Sequence, residues 1–103
     1  MNLELECLSY EKLSTLTAAK GFTGAKIVSG ARRAKVALIS VEEAAIRFTM
    51  DGTTPVVTGA SEAGHLLQVG ESYEILGHKS IVNFRCINAV NGNGAELFCS
   101  FYY

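Results

Sequence analysis

The side chains of this sequence that could carry chemistry are two histidines, three cysteines and a scatter of carboxylates. A nucleophilic enzyme needs a serine or cysteine beside a general base and a pair of oxyanion donors. His65 follows Gly64 at the head of an apolar run and His78 follows Gly77 in a turn. Spacing gives neither a partner, so both read as structural or solvent-exposed, and no enzyme is expected. Metal ligands would recur at short, regular intervals; His65, His78, Cys86 and Cys99 match no zinc pattern. For calcium, Asp51, Glu62 and the turn from Asn91 to Asn93 offer oxygens without a DxDxDG-type cluster. Gly92 and Gly94, and the pair Gly21 and Gly24, lie outside any Walker or dinucleotide motif and read as turn makers. No catalytic residue, cofactor or metal is therefore expected.

Cys7, Cys86 and Cys99 are odd in number and lack a CxxC pair. They read as reduced, mostly buried thiols rather than a disulfide framework, which places folding in a cytoplasm. No signal peptide is visible in MNLELECLSY, and no stretch of about 18 uncharged apolar residues suggests a membrane span.

A formal charge of -1 argues against a nucleic-acid binder that works by a global positive field. The charge is unevenly placed. Lys20, Lys26, Arg32, Arg33 and Lys35 occupy a stretch without an acidic residue. Beyond it stand Arg47, Lys79 and Arg85 against Glu42, Glu43, Asp51, Glu62, Glu71, Glu74 and Glu96. The basic stretch is either a solvated loop or an edge that docks on an acidic neighbour. Phe22 is its one aromatic, too few for a single-strand nucleic-acid platform, so no specific nucleic acid is expected. Lys20, Phe22, Lys26, Arg32, Arg33 and Lys35 are candidates for contact with another protein, as are Tyr102 and Tyr103 at the aromatic end.

The elements that must position these residues are mostly strands. At 103 residues the chain reads as a single domain, residues 1–103, large enough to bury a core. Residues 2–10 alternate and predict a first strand, an edge strand or docking arm. Residues 11–20 predict at most one short helical turn, in competition with a strand and an irregular turn, because Ser14, Thr15 and Thr17 are poor helix-interior residues. The run AKVALISV, residues 34–41, predicts a central strand. Glu42 and Glu43 mark a hairpin turn into a return strand whose Ile46, Phe48 and Met50 share the core face. Asp51-Gly52 ends that strand in a turn, Pro55 lies in the loop beyond, and Gly64-His65 re-enters an extended apolar segment. Strands follow over residues 72–76 and 81–90. Asn91-Gly92-Asn93-Gly94 predicts a hairpin into the last strand, residues 95–103. There one face holds Leu97, Cys99, Phe101 and Tyr103 and the other Phe98, Ser100 and Tyr102, so the second set should meet another layer or another chain. About seven short strands without a long helix predict an all-β fold, a small antiparallel sandwich or flattened barrel.

Two likenesses lie in this same region. IRFTMDGTTP, Ile46 to Pro55, resembles the strand and turn of immunoglobulin-like modules appended to chitobiase-type glycoside hydrolases. The longer run IRFTMDGTTP, GHLLQVGE, NFRCI and ELFCSFYY, in that order, resembles small proteins encoded among the head and tail genes of tailed bacteriophages and prophages. It covers about two-thirds of the chain, from Ala34 to Tyr103. What this second resemblance implies is a noncatalytic virion component folded in the bacterial host cytoplasm, above all a capsid decoration or cement protein. A head-tail or tail accessory protein comes next. Its partners would be the major capsid protein or other virion proteins and further copies of itself in a homo-oligomer. The first likeness implies a carbohydrate-binding module, which the absence of tryptophan disfavours.

Overall fold

The computed structural model describes residues 5–57, 63–90 and 92–103. Its organising strand is the one predicted at AKVALISV. This is β4 (Val36–Glu42), whose Ala37, Ile39 and Val41 are fully buried while Leu38 and Glu42 stay exposed, the period of two expected of a half-buried strand. Two antiparallel neighbours flank it, β9 (Glu96–Tyr102) and β7 (Ser72–Leu76), and β1 (Cys7–Leu13) adds to the far side of β9. The resulting sheet has the order β1-β9-β4-β7. A second sheet, ordered β6-β5-β8, is built from β5 (Ile46–Thr49), β6 (His65–Leu67) and β8 (Arg85–Asn88). A two-stranded ribbon of β2 (Val28–Ser29) and β3 (Arg32–Arg33) turns at Gly30, where φ is 62°.

Inward side chains of the two main sheets share one core, with Ile39, Ile75, Leu97 and Phe101 from the first and Ile46, Phe48, Leu67 and Cys86 from the second. The fold is thus a small all-β sandwich. Its centre is aromatic: Phe22 stacks on Phe84 at 4.4 Å and meets Phe101 edge-on at 4.9 Å, and Phe48 lies 5.8 Å from Phe84.

The structure decides between several local alternatives and corrects other expectations. The first strand starts at Cys7 and runs on to Leu13, so residues 7–10 belong to an edge strand rather than a free arm; residues 1–4 lie outside the described residues. No helical turn forms over residues 11–20. Pairing of Glu11 with Cys99 and Leu13 with Leu97 extends the sheet, and it sends Leu13 and Leu16 into the core. The helices are elsewhere: α1 (Gly24–Ile27) and α2 (His78–Val82). α2 replaces the start of the strand predicted over residues 81–90. Gly77, at φ 95°, donates its N–H to Lys35 O and ends β7, after which one helical turn buries Ile81.

Both predicted hairpins are crossovers. β4 does not pair with β5, nor β8 with β9. At Glu43, where φ is 74°, the chain passes from one sheet to the other. The segment holding Gly92-Asn93-Gly94 does the same in reverse; Asn91 lies outside the described residues. Each of these strands has one apolar face, and facing sheets bury both faces against each other as a simple hairpin would not. Asn88 secures the second crossover. It is buried, and its Oδ1 accepts the Ala95 N–H at 3.1 Å while its own N–H donates to Leu16 O at 2.9 Å. Replacing Asn88 by Leu leaves the Ala95 N–H without that acceptor, an expected loss of about 1–3 kcal/mol readable in a urea melt.

Candidate interaction surface

The residues first examined for chemistry are dispersed by the fold. His78 lies with Nδ1 2.9 Å from Ala34 O, beside the start of β4. The exposed His65 ring sits 5.5 Å from that of Phe48, on the opposite sheet. Among the described residues no group of three or more His, Cys, Asp or Glu side chains could hold a metal ion. The Asp51 carboxylate serves its own turn. Hydrogen bonding from Thr53, including its N–H at 3.0 Å, holds the carboxyl below its ordinary pKa. Glu62, named with it as a calcium ligand, lies outside the described residues.

All three cysteines are free, with Cys86 and Cys99 buried and Cys7 exposed. Burial pushes the Cys86 thiol up to about 12, against a small opposing effect of Lys20. Cys99 is raised by burial and further by Glu11 and Cys86. Only Cys7 should therefore react with a thiol reagent in the native protein near pH 8, and unfolding should expose two more thiols; rapid native labelling of all three would contradict the packing. A thiol kept protonated by folding stabilises the protein below its unfolded pKa near 9 and loses that contribution as pH rises above it. Stability should thus be flat with respect to these groups up to about pH 8 and fall beyond pH 9.

Two adjoining hollows flank His65. One, of about 340 Å³, is lined by Thr49, Met50, Asp51, Thr53, Gly64 and His65. The other, of about 380 Å³, lies among Phe48, His65, Leu66, Leu67 and Tyr73. Asp51-Gly52 makes the turn beside them, with Gly52 at φ 88° and its N–H on Asn83 O. Gly64 is held at φ 116° where an added Cβ would stand 3.2 Å from Phe48 O and Pro55 Cβ. Pro55, placed in a loop by the sequence, is fully buried.

A larger feature is the outer face of the four-stranded sheet. Register puts Tyr10, Ser100, Leu38 and Glu74 in one row across it, with Lys12, Phe98, Ser40 and Ser72 in the next. Tyr102, Val36 and Leu76 form a third row. Tyr10 is 52% exposed, Leu38 40% and Leu76 63%, so no described element covers the face at these positions, whereas Val36 in the third row is buried. Its charges are few; Lys12 lies 5.8 Å from the Phe98 ring centroid and 3.4 Å from Glu96.

The two ends of this sheet differ in charge, one basic apart from Glu6, which is paired through its backbone with Tyr103, and the other acidic. At the start of β4, Lys35 bonds through its N–H to Tyr102 O and through its carbonyl to the Gly77 N–H, so Arg32, Arg33, Lys35 and Lys79 gather at one end. The Arg32 guanidinium lies 5.1 Å from the Tyr103 ring centroid. At the other end Glu42 stands directly opposite Glu96, with Glu43 next in the chain and Glu71 bonded through its carbonyl to the Val41 N–H. Lys12 is the basic residue placed there by its ion pair.

Of the candidates named from sequence, Arg32, Arg33 and Lys35 are exposed and share the basic end. Tyr102 joins the outer face, and Tyr103 donates its hydroxyl to Glu6 at 3.3 Å. Lys26 is exposed on α1, where its carbonyl accepts the Ser9 hydroxyl. Lys20 is exposed and donates its Nζ to Ser14 O at 2.8 Å. Phe22 is half-buried and packs its ring on Phe84 and Phe101 at the edge of the core. Sequence reading missed Tyr10, Leu38 and Leu76. Leu38 sits in an unbroken apolar run with no alternation to mark its side, and Tyr10 was assigned to the end of a strand whose middle it nearly occupies.

Comparison with family models, with curated proteins and with solved structures finds no match to this chain.

Proposed function

We propose that this chain is a noncatalytic structural protein of a tailed-phage particle, a decoration or cement protein of the head that acts by contact. The observation that carries the reading is the outer face of the four-stranded sheet, where exposed Tyr10, Leu38 and Leu76 stand among serines between ends of different charge. Such a surface is suited to subunit junctions, where apolar burial gives affinity and charge sets orientation. The ordered segments IRFTMDGTTP, GHLLQVGE, NFRCI and ELFCSFYY support the phage class. The major capsid protein is the proposed partner, and the face of the sheet with its charged ends serves the junctions between subunits that sit on it. A head-tail or tail accessory role would use the same features.

Cosedimentation with empty phage heads tests this. Wild-type protein should saturate a fixed number of sites. Reversing Arg32 and Arg33 to Glu should weaken binding at least tenfold at low salt and much less at high salt. No binding to heads, with tails bound instead, would move the site to the tail accessory class. Binding to neither would contradict the reading.

The paired hollows at His65 favour a second reading, carbohydrate binding, because the His65 ring borders both the hollow that holds Asp51 and the one lined by Phe48 and Tyr73. Tyr73 is only 39% exposed, a small platform for a sugar. A polysaccharide array should show no binding of millimolar affinity or better. Binding that is lost in Tyr73→Ala would install the carbohydrate reading instead.

A further inference from the structure

We infer that the open face of the four-stranded sheet is covered by a second copy of this chain, packed face to face with its strands antiparallel. The inference rests on the contact role of that face proposed above and adds its occupant and orientation.

Two copies can stack these faces about a two-fold axis in two ways. With strands parallel, the end carrying Arg32, Arg33 and Lys35 would meet its own copy, and Glu42, Glu43 and Glu96 would meet theirs. With strands antiparallel, each basic end meets an acidic end, and the weakly charged rows containing Leu38, Ser40, Phe98 and Ser100 meet in the middle. Like-charge juxtaposition excludes the first arrangement and favours the second. The contact is isologous and closes at two copies.

Area sets the strength. Three strands of seven residues and one of five, at about 3.3 Å per residue and about 4.8 Å apart, give on the order of 400 Å² per copy. The pair then covers about 800 Å², below the size of stable specific interfaces and in the range of weak, transient ones. Apolar burial alone makes a weak dimer, so the charged ends contribute a large share of affinity and make it sensitive to salt.

Sedimentation equilibrium of the full chain supplies the test. Wild type should approach twice its 11.0 kDa mass at high micromolar concentration and dissociate further as salt rises. Leu38→Asp, at the centre of the face, should weaken the dimer at least tenfold. Arg32→Glu and Glu42→Lys should each weaken it severalfold, whereas both together in one chain should recover part of the loss, because the two reversed charges are again of opposite sign across the contact. Circular dichroism confirms that each variant is folded; the three positions are exposed. A wild-type monomer at millimolar concentration would overturn the inference, as would a dimer indifferent to Leu38→Asp, a double variant without rescue, or growth beyond two copies. If the wild type is monomeric yet Leu38→Asp abolishes binding to phage heads, the face belongs to the lattice. The dimer then fails while the proposed function stands.

Discussion

Replacing Phe84 by alanine is expected to bring this protein close to unfolding at ambient temperature. Phe84 has no exposed surface and lies between both sheets, stacked on Phe22 at 4.4 Å with Phe48 at 5.8 Å. Truncation removes its buried area and leaves a cavity that strands on two sides cannot close. The expected cost is about 3–5 kcal/mol. Against a total of about 5–15 kcal/mol for a domain, that is a large fraction of the stability. The melting temperature should drop by roughly 15–30 °C, since each kcal/mol moves a domain of this size by several degrees. Phe84→Leu, which keeps most of the volume, should recover more than half of the loss. A drop of only a few degrees in Phe84→Ala would mean that the sheets do not pack around this ring as described.

Substitution of Gly64 by valine should cost nearly as much for a different reason. Its φ of 116° is rarely adopted by an L side chain, and the space is already taken by Phe48 O, Pro55 Cβ and Arg47 Cβ at 3.2–3.3 Å. Backbone strain of about 1–3 kcal/mol adds to the steric clash. A total of about 2–4 kcal/mol is expected, and the damage should centre on β6, which starts at the next residue. Hydrogen exchange would show it as lost protection in Leu66 and Leu67. By contrast Gly70, at φ 85° with open space around its Cβ position, should lose less on substitution by Ala. Equal effects at the two glycines would show that backbone conformation alone decides, without the close approach at Gly64.

These two residues illustrate what the sequence made legible and what it did not. Strands with a clear period of two, β5 and β9, were readable because one face alone had to be buried, and their core residues followed from parity, whereas β4 was readable as a strand from its branched aliphatic composition but not as to which side its residues take. The turn at Asp51-Gly52 and the break at Gly77 were readable because glycine there permits a positive φ. Pairing was less accessible. Glu42-Glu43 and the Asn-Gly run look like hairpin turns locally, but a sandwich needs connections that leave the sheet, and nothing local distinguishes the two. α2 was hidden because HKSIV is as apolar and branched as a short strand; its helical turn follows from Gly77 ending β7 against Lys35. The open sheet face was half legible. Phe98, Ser100 and Tyr102 were set apart as a second face, whereas Leu38 and Leu76 joined it only when β4 and β7 took their places beside β9.

The proposal that this is a particle protein acting by contact is tested most directly by mass spectrometry of purified phage particles induced from a cell that encodes the chain. Peptides of this sequence should be present in a fixed ratio to the major capsid protein and should remain with heads when heads and tails are separated. Particles of full infectivity and complete composition that contain none of it would contradict the proposal.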